Sequence, residues 1–268
     1  MRMVGILMAG LLTIGSGSLL VSDGSEIQYF STGVGEQLPL QMPDESVITL
    51  NTNSRIQTQS DGEMLRVGVM TGEVLFDMHP DVKRQFIVSV RDLQIADKAA
   101  TFAVELLDNG EIAVTVAQGR VQLAADGLTK TLLHYNQQAT VEYQAHLLSI
   151  HIRDLRPEEI QRRLAWRLGR LEFNGDRVSD AARQINRYNV TQIQVEGVVG
   201  NARIGGTFSP KEPLTFAQTM VAMIPDTRCE SKQRAGEPAV LRIYRVSRVA
   251  RAEAVSDGCP PESGGGEE

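Results

Sequence analysis

Between residues 29 and 152 apolar and polar positions alternate with a period of two. The apolar members run Val67 and Val69; Val74, Phe76 and Met78; Phe86, Val88 and Val90; Phe102 and Val104; Ile112, Val114 and Val116; Val121 and Leu123; Val141 and Tyr143; and Leu148, Ile150 and Ile152. Successive side chains of a strand point to opposite faces, so this pattern predicts strand after strand with one face buried. Asp61-Gly62, Thr71-Gly72, Asn109-Gly110, Gln118-Gly119 and Asp126-Gly127 interrupt the alternation. Each offers the glycine that a tight hairpin requires. An all-β domain is predicted over 29–152, sandwich-like or solenoidal.

The alternation ends in a charged stretch, with Arg153, Asp154, Arg156, Glu158 and Glu159 around Pro157, and 153–168 reads as a linker. Beyond it the period changes. Leu171 and Phe173 suggest a short strand, and Val178, Ala181, Ala182 and Ile185 fall on one face of a helix. Asp176 is placed to cap that helix and Asn189 to end it. Strands through Ile193 and Val195, from Ile204 to Phe208 and from Val240 to Val246, with a helix through Leu214, Ala217 and Val221, complete a βαββαβ order over 169–250. Such a module is a small α+β sandwich with both helices on one face of a sheet. The composition of 257–268, rich in Gly and Glu, is that of a disordered tail.

The N-terminus is the other departure from globular patterning. No charge occurs from Met3 to Ser22, a run about long enough to cross a bilayer. Arg2 precedes it and Asp23 and Glu26 follow, which orients the chain with its N-terminus inside and its bulk outside the cytoplasm, as a single-pass inner-membrane protein. A cleaved signal peptide is the competing reading of 1–22, because Ser16-Gly17-Ser18 supplies small residues. Both readings export the rest.

Composition changes this picture little. Charged residues make up 22% of 268, the net charge is −6, and nothing clusters Lys and Arg as nucleic-acid binding demands. Cys229 and Cys259 are the only cysteines. In an oxidising compartment they are a candidate disulfide, worth about 3 to 4 kcal/mol for such a loop, with two unpaired thiols as the alternative.

Candidate chemistry is sparse. The four histidines are scattered, and His146 and His151, five apart in an expected strand, face opposite ways, so no metal site and no cofactor is expected. Gly33-Val34-Gly35 lacks the third glycine and the helix of a dinucleotide loop. Glu36, Asp44 and Glu73 stand near glycines or turns, where carboxylates accept backbone N–H groups. No nucleophile-and-base constellation is legible, so the chain does not read as an enzyme.

Several runs in series resemble the FecR family of regulators. They are Thr32-Gly33-Val34-Gly35-Glu36; Met42-Pro43-Asp44 with Ser46 to Asn51 and Ser54; Arg66; Gly72-Glu73-Val74-Leu75-Phe76-Asp77-Met78; Thr101 to Val104; and Val114 to Gly119. Trp166 to Phe173, Asn186-Arg187-Tyr188-Asn189 and Gly206-Thr207-Phe208 resemble the C-terminal portion of the same family, a module similar to the secretin and TonB short N-terminal domain. The resemblance makes Gly35, Glu36, Pro43, Asp44, Gly72, Glu73, Phe76, Asn186, Arg187 and Tyr188 structural motif positions. It implies a relay in cell-surface signalling, in which an outer-membrane TonB-dependent transducer loaded with an iron chelate contacts an exported regulator that controls an extracytoplasmic-function sigma factor.

Family members carry a cytoplasmic sigma-binding domain before the membrane segment, whereas only Met1 and Arg2 stand there in this sequence. A sigma-factor partner is therefore expected only with a further N-terminal domain, and a periplasmic binding module acting without one is the alternative. Self-cleaving relatives show Gly-Thr where this chain has Ala100-Thr101. The Cβ of Ala100 limits the backbone strain that an N-to-O acyl shift exploits, which argues against cleavage although Thr101 keeps its hydroxyl. For the transducer, the expected docking edge is either the short strand after Trp166, with Leu171 and Phe173, or the strand from Val240 to Val246, with Arg242, Ile243 and Arg245, the alternative being that these arginines only solvate an exposed face.

Overall fold

The computed structural model describes residues 19–20, 27–42, 44–61, 63–79, 85–97, 99–126, 129–144, 147–234 and 236–246. Fourteen strands build one large sheet: β1 (Leu19–Leu20), β2 (Gln28–Ser31), β3 (Leu38–Gln41), β4 (Val47–Leu50), β5 (Arg55–Ser60), β6 (Met64–Asp77), β7 (Gln85–Val90), β8 (Leu93–Asp97), β9 (Thr101–Leu106), β10 (Ile112–Gln118), β11 (Arg120–Ala124), β12 (Thr131–His134), β13 (Gln137–Gln144) and β14 (Leu147–Asp154).

The fourteen-residue β6 organises them. Its first half lies between β5 (antiparallel) and β7 (parallel), and its second half between β4 and β9. One strand thus serves both halves of the sheet, which curls around a core containing Phe76, Phe86 and Phe102. The rings of Phe76 and Phe102 stack with centroids 4.9 Å apart.

Gly72 sits where β6 changes neighbours, with φ of +83°, and a Cβ there would come within 2.2 Å of the Ser54 hydroxyl. The hairpin expected at Thr71-Gly72 is corrected on this point: the chain continues straight through. The left-handed residue, together with a register shift opposite Arg55, turns the strand from one half of the sheet to the other instead of reversing it.

Leu19 and Leu20, assigned by their hydropathy to the membrane segment, form a strand parallel to Leu40 and Gln41. The edge of β3 offers unpaired backbone groups that an extended apolar segment can satisfy. The rest of the expected membrane segment, with Arg2, lies outside the described residues, as do Pro43, His146, Cys259 and the expected tail. Among the described residues no helix is long and apolar enough to cross a membrane.

The stretch 153–168 is not a free linker. Proline at its first position opens α1 (Pro157–Arg163), the Glu159 carboxylate accepts the Arg156 N–H at 3.0 Å, and a 3-10 turn spans Ala165–Leu168. Ile160, Leu164, Ala165 and Trp166 are buried, because this segment faces the outer surface of β6, β9 and β10 rather than water.

The module that follows contains β15 (Leu171–Arg177), α2 (Val178–Asn186), β16 (Gln192–Val195), β17 (Arg203–Phe208), α3 (Pro213–Met223), β18 (Thr227–Lys232) and β19 (Val240–Arg245). Val178, Ala181, Ala182 and Ile185 are buried, as the helical spacing predicts. The expected βαββαβ order gains β18, and one sheet becomes two: β15 with β17, and β16–β19–β18. The alternation in β18 is muted because Thr227 and Cys229, its buried side chains, are small or polar.

Asn189 ends α2 by donating its amide to the Ile185 and Pro210 carbonyls at 2.7 and 2.6 Å. The cap expected from Asp176 is corrected: its carboxylate accepts the Asn174 N–H at 2.6 Å, and Arg177 is the N-cap residue.

Candidate functional site

The curl of the large sheet leaves one outer face that is not solvated. In β6 the residues from Glu73 to Phe76 are all buried, so the face opposite the core is covered too. Leu75 and Ala103 on that face join the apolar cluster of the α+β module, alongside Trp166, Ile185 and Tyr188. The two units therefore meet across a seam, and the seam is where charged groups converge.

Glu73 is its centre, with only 6% of its surface exposed. Its Oε1 accepts the indole N–H of Trp166 at 2.8 Å. Its Oε2 accepts the Asn51 amide at 2.9 Å and the Arg187 guanidinium at 3.0 Å. A second nitrogen of Arg187 reaches Glu105 on β9 at 2.9 Å. The Asn51 amide also donates to the Tyr188 hydroxyl at 2.7 Å. Backbone groups tie the same seam: the Thr52 hydroxyl donates to the Arg187 carbonyl at 2.9 Å, and the Gln37 amide to the Trp166 carbonyl at 2.8 Å. Each buried polar group thus has a partner, the condition under which a buried network specifies one arrangement.

Gly35 shows how closely the units approach. It has φ of +78°, its N–H donates to the Thr52 hydroxyl at 2.8 Å, and a Cβ at this position would lie 2.8 Å from the Tyr188 carbonyl. Both the backbone conformation and the contact exclude a side chain.

Burial shapes the electrostatics of the seam. It pushes the Glu105 carboxyl up to about 7, with the Glu73 charge adding to the shift and Arg187 and Arg163 opposing it. Burial works against the charge on Arg187, but Glu73 and Glu105 outweigh it and hold the guanidinium more firmly protonated than usual. Burial, and then the Glu73 charge, also raises the Tyr188 hydroxyl. Beside the network lies a cavity of about 240 Å³, bounded by Glu105, Thr115 and Gln138 on one side and by Arg163, Phe173 and Arg187 on the other.

The motif positions divide cleanly. Gly35, Gly72, Glu73, Arg187 and Tyr188 meet at or beside the seam. Phe76 belongs to the core of the large sheet. Glu36 accepts the Gly33 N–H at 2.7 Å and Asp44 accepts the Ser46 N–H at 3.1 Å, both local turns. Asn186 clamps α2 to β16, giving a hydrogen bond to the Ile193 carbonyl at 2.9 Å and taking one from its N–H at 2.7 Å.

The expected docking edge needs correction. Trp166 is 2% exposed and its indole is committed to Glu73, so it holds the seam instead of greeting a partner. Ile243 is fully buried, and β19 is the central strand of its sheet, paired with β16 and β18, which leaves it no free edge. Leu171 is buried, and Phe173 packs against Phe208 with centroids 5.7 Å apart. Arg242 is paired with Glu196 at 2.9 Å and Glu230 at 2.6 Å, and Arg245 lies 3.9 Å from Asp226.

At the self-cleavage position, Ala100 is buried, and the Thr101 hydroxyl donates to Asp77 at 2.8 Å beside a separate cavity of about 220 Å³. Cys229 is buried on β18 and is not a free thiol, and its expected partner Cys259 lies outside the described residues. Among the described residues no three His, Cys, Asp or Glu side chains are grouped to hold a metal.

Asn51 carries a motif position whose role the sequence did not disclose, and Glu105 stood out in no pattern. Their signal was indirect: Val74-Leu75-Phe76, Phe102-Ala103-Val104 and Ile112-Ala113-Val114 are unbroken apolar triplets, which mark strands covered on both faces.

Comparison with known proteins supports this architecture. Residues 28–122 match the model of the FecR family, described as FecR protein. Two crystal structures of a protein described as a "putative anti-sigma factor" from Parabacteroides distasonis ATCC 8503, at 2.50 and 1.65 Å resolution, share the fold with TM-scores of 0.60. Each is 22% identical, and the matches cover 83% and 82% of this chain and 100% of the solved chains. No curated protein matches the chain. The FecR match thus falls on the β-rich domain, the one that supplies Gly35, Asn51, Gly72, Glu73 and Glu105 to the seam.

Proposed function

We propose that this chain is the exported signalling part of a regulator. In this reading it passes the state of an outer-membrane TonB-dependent transducer to an extracytoplasmic-function sigma factor, and it is not an enzyme. The observation that carries the reading is the FecR match at 28–122 on a domain whose outer face is occupied by a second folded module. A regulator that senses one partner and answers to another needs two folded units in mechanical contact, and a buried polar seam supplies that contact.

The α+β module, with its βαββαββ order and two small sheets, is read as a relative of the secretin and TonB short N-terminal domain. It is the proposed docking site for the transducer. With β19 enclosed, the strand edges available for augmentation are the outer ones, on β16 and β18 of the larger sheet. Membrane attachment through the apolar segment that precedes Leu19, with the rest in the periplasm, completes the proposal. A periplasmic reporter fused after Val246 is then active and a cytoplasmic reporter silent.

The direct test is calorimetry of the full chain against the periplasmic signalling domain of a TonB-dependent transducer from the same organism. Binding in the micromolar range or tighter is expected. No heat of binding at concentrations of about 100 μM would overturn the assignment.

A further inference from the structure

Within the seam, two carboxylates face each other. Glu73 on β6 and Glu105 on β9 are register partners across an antiparallel pair, an arrangement that is unfavourable for like charges. On an open sheet water screens them, but here the α+β module covers both. Their surroundings are unequal. Glu73 takes hydrogen bonds from Trp166, Asn51 and Arg187, whereas Glu105 shares only the second nitrogen of the same arginine. One guanidinium thus serves the buried Glu73 and the half-buried Glu105, whose side chain is 22% exposed, and the less satisfied of them is Glu105.

We propose that docking of the α+β module on the β-rich domain is a proton-linked latch, in which Glu105 takes up a proton as the seam closes. The closed arrangement then tightens as the pH falls and loosens as it rises.

The groups that face Glu105 come from every element around it. Glu73 stands on β6, Arg187 and Tyr188 follow the end of α2, Arg163 lies on α1, and Asp108 on the turn after β9. Glu159 and Arg162 on α1 and Glu172 and Asp176 on β15 line the same cavity, with Arg153 of β14 close to Arg163. Glu159 and Glu172 already have their own partners, Arg156 at 3.2 Å and Arg170 at 2.9 Å. Among the described residues no histidine lines the cavity.

The direction follows from proton counting. With the seam open, Glu105 lies on the surface of a sheet and titrates in the ordinary range, near about 4.3. With the seam closed, burial and Glu73 raise it to about 7. Between these values the closed form binds more protons than the open one. Closing is therefore favoured at the acid end and weakens by up to about tenfold per pH unit across the window, with no further change above it.

Trp166 is the sole tryptophan and is buried against Glu73, so its fluorescence reports the seam directly. The full chain in mild detergent is titrated from about pH 4.5 to about pH 8.5, following acrylamide quenching of Trp166 with circular dichroism as the control for folding. Quenching is expected to rise at least about twofold through the window while the strand signal of the β-rich domain is retained, and Glu105→Gln, which cannot ionise, is expected to stay shielded throughout. A flat profile in the unaltered chain, or an undiminished transition in folded Glu105→Gln, would refute the latch. Should that variant not fold, carbon-13 titration of the glutamate carboxyls in the unaltered chain decides. One carboxyl titrating near about 7 supports the proposal, and ordinary values for all overturn it.

Discussion

The β-rich domain closes its own core, whereas the α+β module completes its core on a neighbour. Inside the large sheet, Phe76, Phe86 and Phe102 pack among side chains from β3 to β13, all drawn from one unit. The apolar cluster of the module includes Leu75 and Ala103, which belong to strands of the β-rich domain. The polar groups follow the same division. In the β-rich domain the polar network on β6, β9 and the turn after β4 faces outward, and the module supplies Trp166, Arg187 and Tyr188 to satisfy it. A sheet of fourteen strands buries enough apolar area to stand alone, while two small sheets with two short helices do not.

The strongest way to break the comparison is to separate the units. A chain ending at Leu155 is expected to unfold cooperatively on heating, and residues 169–246 alone are expected to lose their cooperative transition. A module that melts sharply on its own would contradict the dependence. Next in size is Ile243→Ala, which empties a fully buried site on the central strand β19. It is expected to cost about 3 kcal/mol in the module and to leave the β-rich domain's transition in place, as read by calorimetry.

Arg187→Ala removes the bridge between two carboxylates. Allowing for partial exposure of the arginine, it is expected to lower stability by about 2 kcal/mol, with Trp166 fluorescence shifting to longer wavelength. Gly35→Ala is the smallest of the set, at about 1 to 2 kcal/mol. It forces a Cβ into a left-handed backbone conformation and against the Tyr188 carbonyl, and limited proteolysis near 153–168 should accelerate. An unchanged midpoint and proteolysis rate would mean that the seam has slack at this point.

Much of the fold was legible because its period is local. Val67, Val69, Val74 and Phe76 mark β6 in the chain itself, and Val178, Ala181, Ala182 and Ile185 mark one face of α2. What the period could not reveal is which neighbour a strand takes. β19 reads as an edge from its arginines, yet its Ile243 lies between two strands because β18, with small and polar inward residues, escapes hydrophobic counting. Similarly, the charges of 153–168 read as a solvated linker while Ile160, Leu164 and Trp166 are the residues that matter to packing.

By itself the sequence determined the strands and helices, the two-unit organisation and the family motifs, since each rests on residues close together in the chain or on their serial order. Only the tertiary structure decided that Glu73 meets Trp166 across 93 positions and Arg187 across 114. A carboxylate on the outward face of a strand looks the same in sequence whether water or another unit covers it. Burial, the quantity that makes Glu105 titratable near neutrality, exists only once the covering unit is in place.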